Sequence, residues 1–102
     1  MMMNKTMKDL MNLQITLTAE LEKLLPERNM AKEKAYAALY DANEADDLAG
    51  NLTPEVVKLY TLYDELDKKA TVLDKKVDLI EDTLSALREL KEKLTDLIEL
   101  YN

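Results

Sequence analysis

Between Val56 and Leu87 apolar side chains recur at Val56, Leu59, Tyr63, Leu66, Ala70, Leu73, Val77, Ile80, Leu84 and Leu87, in steps that alternate between three and four. That rhythm averages about 3.5 residues and defines one stripe along a helix that is built to lie against another helix. The rest of the chain has to supply the second helix. Only one glycine and two prolines occur in 102 residues, so turns are scarce and few, long elements must account for the length. The chain is expected to be a single all-α domain.

The first half carries a matching stripe. Met3, Met7, Leu10, Gln14, Leu17, Leu21, Leu24, Arg28, Ala31, Ala35, Ala38, Ala42, Ala45 and Ala49 keep the same alternation, with only Gln14 and Arg28 polar. Pro26 interrupts it, because a proline inside a helix removes one hydrogen bond and crowds the preceding turn at a cost of about 3 kcal/mol. No reversing residue flanks it in Leu24-Leu25-Pro26-Glu27-Arg28 and the phase of the stripe is unchanged. A kink or a brief interruption near Pro26 is therefore expected, and not a reversal.

The reversal belongs at Leu48 to Pro54. Gly50 and Asn51 tolerate the left-handed conformation that ends a helix. Thr53 suits an N-cap, Pro54 the first helical position and Glu55 the positive end of the helix dipole. Leu52 and Val57 occupy the positions of a hydrophobic staple. The expected organisation is a helix over about 4–49, a turn at 50–53 and a helix over about 54–101, folded as a long, coiled-coil-like antiparallel hairpin. In that fold the stripes pair Ala42 with Leu59, Ala38 with Tyr63, Ala35 with Leu66, Ala31 with Ala70 and Arg28 with Leu73, and continue through Leu24 with Val77 to Gln14 with Leu87. Small faces large near the turn, which lets helices approach closely around a filled core. Beyond Leu87 the next leucine comes after another step of three, at Leu90, followed by Leu94, Leu97 and Tyr101, and this predicts a phase slip of the stripe at the open end.

Apolar side chains also lie off the stripes, at Met11, Leu13, Ile15, Leu25, Met30 and Leu39 and at Leu62, Val72, Leu79 and Leu90. Two helices bury one stripe each, which is little core for a domain, so association of hairpins into a four-helix bundle, most simply a homodimer, is expected. A rival arrangement is a parallel pair of second helices, in which Lys69 would meet Asp74 and Lys76 would meet Glu81 of the mate. Exposed pairs of this kind contribute only about 0–1 kcal/mol each, so the turn outweighs them. Tyr36 and Tyr40 lie away from the stripe with Tyr60 across from them, and with Val72, Leu79 and Leu90 they form the candidate interaction surface. Gln14 and Arg28 are candidate register-setting positions, Arg28 with Asp74 in reach.

Chemistry is sparse. Cysteine and histidine are absent, which removes disulfides, thiolate or imidazole metal sites and Ser-His or Cys nucleophiles. No phosphate-binding glycine loop or nucleophile elbow occurs, and no catalytic residue, metal site or cofactor is expected. The acidic pairs at helical spacing, such as Glu65 with Lys69, are ordinary helix support. The net charge is -7, with 6 basic and 9 acidic side chains in residues 1–50 and 8 and 12 in residues 51–102, so no basic tract exists to hold nucleic acid. No stretch is apolar enough to span a bilayer, and Lys5, Lys8 and Asp9 break up the N-terminal methionines, so neither a membrane segment nor a signal peptide is expected and the cytoplasm is the expected compartment.

The length, the central bend and the tripeptide Leu48-Ala49-Gly50 resemble the WXG-type substrates of type VII secretion, hairpins that carry Trp-x-Gly at the bend. Tryptophan is missing here, and that family's Tyr-x-x-x-Asp/Glu signal is matched by Tyr60 to Asp64 and Tyr63 to Asp67, inside the second helix and not beyond it. The resemblance implies a small secreted hairpin. The residues themselves favour a non-enzymatic assembly or adaptor protein acting through protein–protein contacts. The acidic balance allows a third reading, a phage-type inhibitor that occupies a basic groove on its target.

Overall fold

A computed structural model describes residues 2–50 and 52–101 as two α-helices, α1 (Met2–Ala49) and α2 (Pro54–Tyr101), each of 48 residues, folded as a helical hairpin. Asn51, one of the two residues expected to take the left-handed conformation, lies outside the described residues. Among the described residues there is no strand, and no helix is long and apolar enough to cross a membrane.

The turn is built as its residues dictate. Gly50 has φ 71°, and its N–H donates to the Asp46 carbonyl at 3.0 Å, so the left-handed glycine closes α1 with a bond back across the last turn. Thr53 caps α2: its Oγ1 accepts from the Val56 N–H at 3.3 Å, and its carbonyl accepts the first bond of the new helix, from Val57 N–H at 3.0 Å. Pro54 stands at the first helical position, where its missing N–H costs nothing. The expected staple is not closed. Leu52 and Val57 both remain exposed, so the entry of α2 is set by the cap and not by burial of that pair.

Of the two expectations at Pro26, the brief interruption does not occur, since α1 is helical through it, and no reversal takes place there. Pro26 lies on the exposed side of the helix, while Leu24 and Arg28 on either side of it are drawn into the seam. The carbonyl that loses its partner, that of Glu22, belongs to an exposed residue where water can replace the bond. Five threonines inside the helices satisfy their hydroxyls in the same local way, each donating to the carbonyl four residues back; Thr18 to Gln14 and Thr83 to Leu79 are 2.7 Å examples.

The seam residues form the core. The buried side chains are Leu24, Ala35, Ala38 and Ala42 of α1 and Val56, Ala70, Val77, Leu84 and Leu87 of α2, every one a stripe position. The chain resolves into two compact units. One, Leu24–Lys75, holds the turn and the alanine-rich part of the seam; the other, Met1–Lys23 with Lys76–Asn102, holds the part with larger apolar residues. In the turn unit Ala35 and Ala38 of α1 are buried, and so is Ala70 of α2. Within the terminal unit the expected phase slip does not occur. The seam continues from Leu87 through Lys91, Leu94 and Ile98, which are half-buried, whereas Leu90, Leu97 and Tyr101 are 51%, 44% and 73% exposed. The aliphatic stem of Lys91 takes a seam position while its ammonium reaches water.

Two substitutions test this seam and turn. Ala42 is fully buried, and Ala42→Leu forces the helices apart; urea unfolding is expected to show a loss of about 1–3 kcal/mol. At Gly50 an added Cβ meets nothing within 4 Å, so Gly50→Ala costs only the left-handed backbone, about 1–2 kcal/mol in the same assay.

Candidate interaction surface

Assigning heptad positions from the seam, with Arg28, Ala35 and Ala42 of α1 and Val56, Tyr63 and Ala70 of α2 at a, divides each unit into two flanks. In the turn unit one groove is lined by Lys32, Ala35, Tyr36, Asp67, Ala70, Thr71 and Asp74, all at a, b or e positions of the two helices. The opposite groove, of about 230 Å³, is lined by Glu27, Met30, Ala31, Lys34, Leu66, Lys69 and Leu73, all at c, d or g positions. So e residues of α1 face e residues of α2, and g faces g, as an antiparallel pair requires.

The polar contacts between the helices sit on the e flank. Asp74 Oδ1 lies 3.5 Å from Arg28 Nη1 and 3.1 Å from Lys32 Nζ. Arg28 is completed by its neighbour, with Nε and Nη2 donating to Asn29 Oδ1 at 3.3 and 3.2 Å. Arg28 thus meets the residue beside its expected partner Leu73, and Lys32, one turn farther along the same flank, reaches the same carboxylate. Side chains lean toward the N-terminus of their own helix, which displaces long-chain contacts in this sense without moving the seam. Both Asp74 pairs are part-exposed and screened, so they contribute little to stability. They do occupy the carboxylate that a parallel pairing of second helices would have to share with Lys69 of a mate.

Tyr60 is the other cross-helix link. Its hydroxyl donates to Asn43 Oδ1 at 2.9 Å, with Asp46 Oδ2 as a second acceptor at 3.3 Å. Partial desolvation raises its pKa above the ordinary 10.0, and the negative charge of Asp46, the hydrogen bond to Asp46 and the charge of Asp47 raise it further. Only the protonated phenol can donate, so this link is intact below pH 10 and is lost as the pH rises through the folded-state value.

The sequence-predicted surface residues separate into groups. Tyr60 is tied into the hairpin, while Tyr36 and Tyr40 project into solvent at 69% and 68% exposure. Val72 is exposed in the turn unit, at a c position on the side away from Tyr60. Leu79 and Leu90 are exposed in the terminal unit. Gln14 is half-buried and borders two open grooves of that unit, one shared with Arg88, Lys91, Glu92, Thr95 and Asp96, the other with Ile15, Thr18, Ala19 and Glu22.

The sequence reading missed a second stripe on α2. Leu79, Thr83, Ala86, Leu90, Lys93, Leu97 and Leu100 alternate steps of four and three along c and g positions, and all are exposed. Their spacing is visible in the sequence, but Leu90 and Leu97 had been counted into the seam, and that is what produced the apparent phase slip. Leu13, at g on α1, stands on the same flank of the terminal unit. The α2 residues of the e flank in that unit are mainly acidic, with Glu81, Glu92 and Glu99 on its e and b positions against Arg88. On α2 of this unit one flank is therefore leucine-rich and the other mainly anionic. Among the described residues, no group of three or more acidic side chains is placed to hold a metal ion, and no polar side chain is buried.

Alkaline titration followed by tyrosinate absorbance is expected to show one component ionising above the ordinary tyrosine range, and Tyr60→Phe is expected to remove it. If the substitution only scales the curve, the Tyr60 hydroxyl is not held as described. The chain matches no protein-family model, no curated protein sequence and no solved structure.

Proposed function

We propose that the chain is a non-enzymatic assembly or adaptor protein that works in the cytoplasm through protein–protein contacts, beginning with its own dimerisation into a four-helix bundle. The observation that carries this reading is the surplus of exposed leucines on a hairpin whose seam is already filled. Leu79, Leu90, Leu97 and Leu100 stay 67%, 51%, 44% and 82% exposed in the hairpin, and apolar stripes rimmed by charge are the usual mark of an association surface. The residue inventory supports it, because a chain without histidine or cysteine has few ways to build a general base or a nucleophile.

Light scattering across a dilution series, with helicity followed by circular dichroism, tests the self-association. A dimer mass that falls only at high dilution is expected. A well-folded monomer at every concentration would overturn it.

A second reading, the small WXG-like secreted hairpin, draws support from the position of Leu48-Ala49-Gly50 at the bend, with Leu48 projecting into solvent where that family carries tryptophan. Detection of the protein outside intact cells, without lysis, would favour it over the adaptor reading.

A further inference from the structure

We propose that the g flank of the terminal unit is the face on which a second copy of this chain docks, with α1 of one copy lying antiparallel on α2 of the other about a two-fold axis parallel to the helices. The inference rests on the self-association reading above and names the surface that carries it. The choice of occupant comes from the levels at which side chains stand. The register of the stripes, with Gln14 opposite Leu87, puts Leu13 within about two residues of the level of Leu90, and Asp9, one helical turn from Leu13, within about one residue of the level of Lys93.

A two-fold axis parallel to the helices keeps these levels. It sets Leu13 of one copy on the partner's Leu90 and Leu90 on the partner's Leu13, which closes a layer of four leucines. The same operation brings Asp9 to the partner's Lys93, and Lys93 to the partner's Asp9. Asp9 and Lys93 are exposed, and within the chain neither enters an ion pair among the described residues. One turn on the other side of the leucine layer, Thr16 meets the partner's Ala86, two small residues that let the helices close. An isologous interface of this kind is self-complementary by construction; the leucine layer and the Asp9–Lys93 pairs meet that condition, while the same levels set Leu97 on the partner's Thr6 and Leu79 on the partner's Lys23.

The alternatives are poorer by the same test. Docking through the e flank would set Met11 on the partner's Glu92 and Glu22 on the partner's Glu81, apolar on charge and like on like. Turning the two-fold axis across the helices would lay α2 on α2 about Leu90 and set Leu97 on the partner's Thr83 with no carboxylate–ammonium pair between g positions. The parallel axis on the g flank sets leucine on leucine and carboxylate on ammonium in adjoining layers.

The test uses the full chain, with mass from sedimentation equilibrium and helicity from circular dichroism. Leu90 and Ile15 are both exposed and lie on opposite flanks, so neither substitution empties the core. Leu90→Glu is expected to raise the dimer dissociation constant at least about tenfold while Ile15→Glu leaves it unchanged. Asp9→Lys and Lys93→Asp are each expected to weaken the dimer, and the double swap to restore it, because the reversed charges meet again across the axis. A monomeric wild type would overturn both this proposal and the self-association beneath it. A dimeric wild type that is indifferent to Leu90→Glu, or a double swap no tighter than the single ones, would overturn the docking face alone and leave self-association standing.

Discussion

The structure depends on one packing constraint, the closeness that small seam residues allow near the turn. Ala35, Ala38 and Ala42 bury completely or nearly so because they have almost nothing to bury but backbone, and their size brings α1 close to α2. A close pair of helices then needs larger residues facing the small ones, and Val56, Leu59, Tyr63 and Leu66 supply them. Farther from the turn the seam changes character, with leucine and valine carrying the burial on α2 at Val77, Leu84 and Leu87. In both units the apolar area removed from water is a single stripe, which is a thin core for a chain of 102 residues.

Around that seam the polar groups specify more than they stabilise. Asp74 draws in Arg28 and Lys32, and Tyr60 reaches Asn43 and Asp46, all on the same flank. These links are exposed enough to be screened, yet each is available only when α1 and α2 are antiparallel in one register. Arg28 at a seam position is then understandable. It leaves its stem in the seam and takes its charge to a carboxylate that would otherwise be free for a parallel mate. The turn acts in the same direction, since a left-handed glycine and a threonine cap fix where one helix ends and the other begins.

The two flanks of the hairpin differ in what they carry. Charge and hydrogen bonds gather on the e flank, where the hairpin holds itself in register and where α2 of the terminal unit is anionic. Leucines gather on the g flank of that unit, where they stay exposed. A protein whose chemistry is this spare can still be specific, because specificity in helical assemblies comes from which layers align and which charges meet.

Much of this was legible in the sequence. The two stripes give the helices, their number and the face each buries, because a seam that repeats every 3.5 residues is buried only against another helix; Gly50, Thr53 and Pro54 give the bend that turns one stripe onto the other, because backbone conformation and capping are local. The reach of Arg28 to Asp74 was legible for the same reason. Three things only the tertiary structure decided. Whether Pro26 breaks α1 depended on the burial of the seam on both sides of it, which holds the helix together past a local penalty. Whether Leu52 and Val57 form a staple was decided by their burial, and both stay exposed. Above all, the sequence alone could not say which of two overlapping stripes beyond Leu87 was the seam, since Leu94 belongs equally well to a run with Leu90 and Leu97 or with Lys91 and Ile98. Packing against α1 settled it, since the hairpin's geometry carries the seam on at constant pitch, burying a lysine stem and leaving leucines outside.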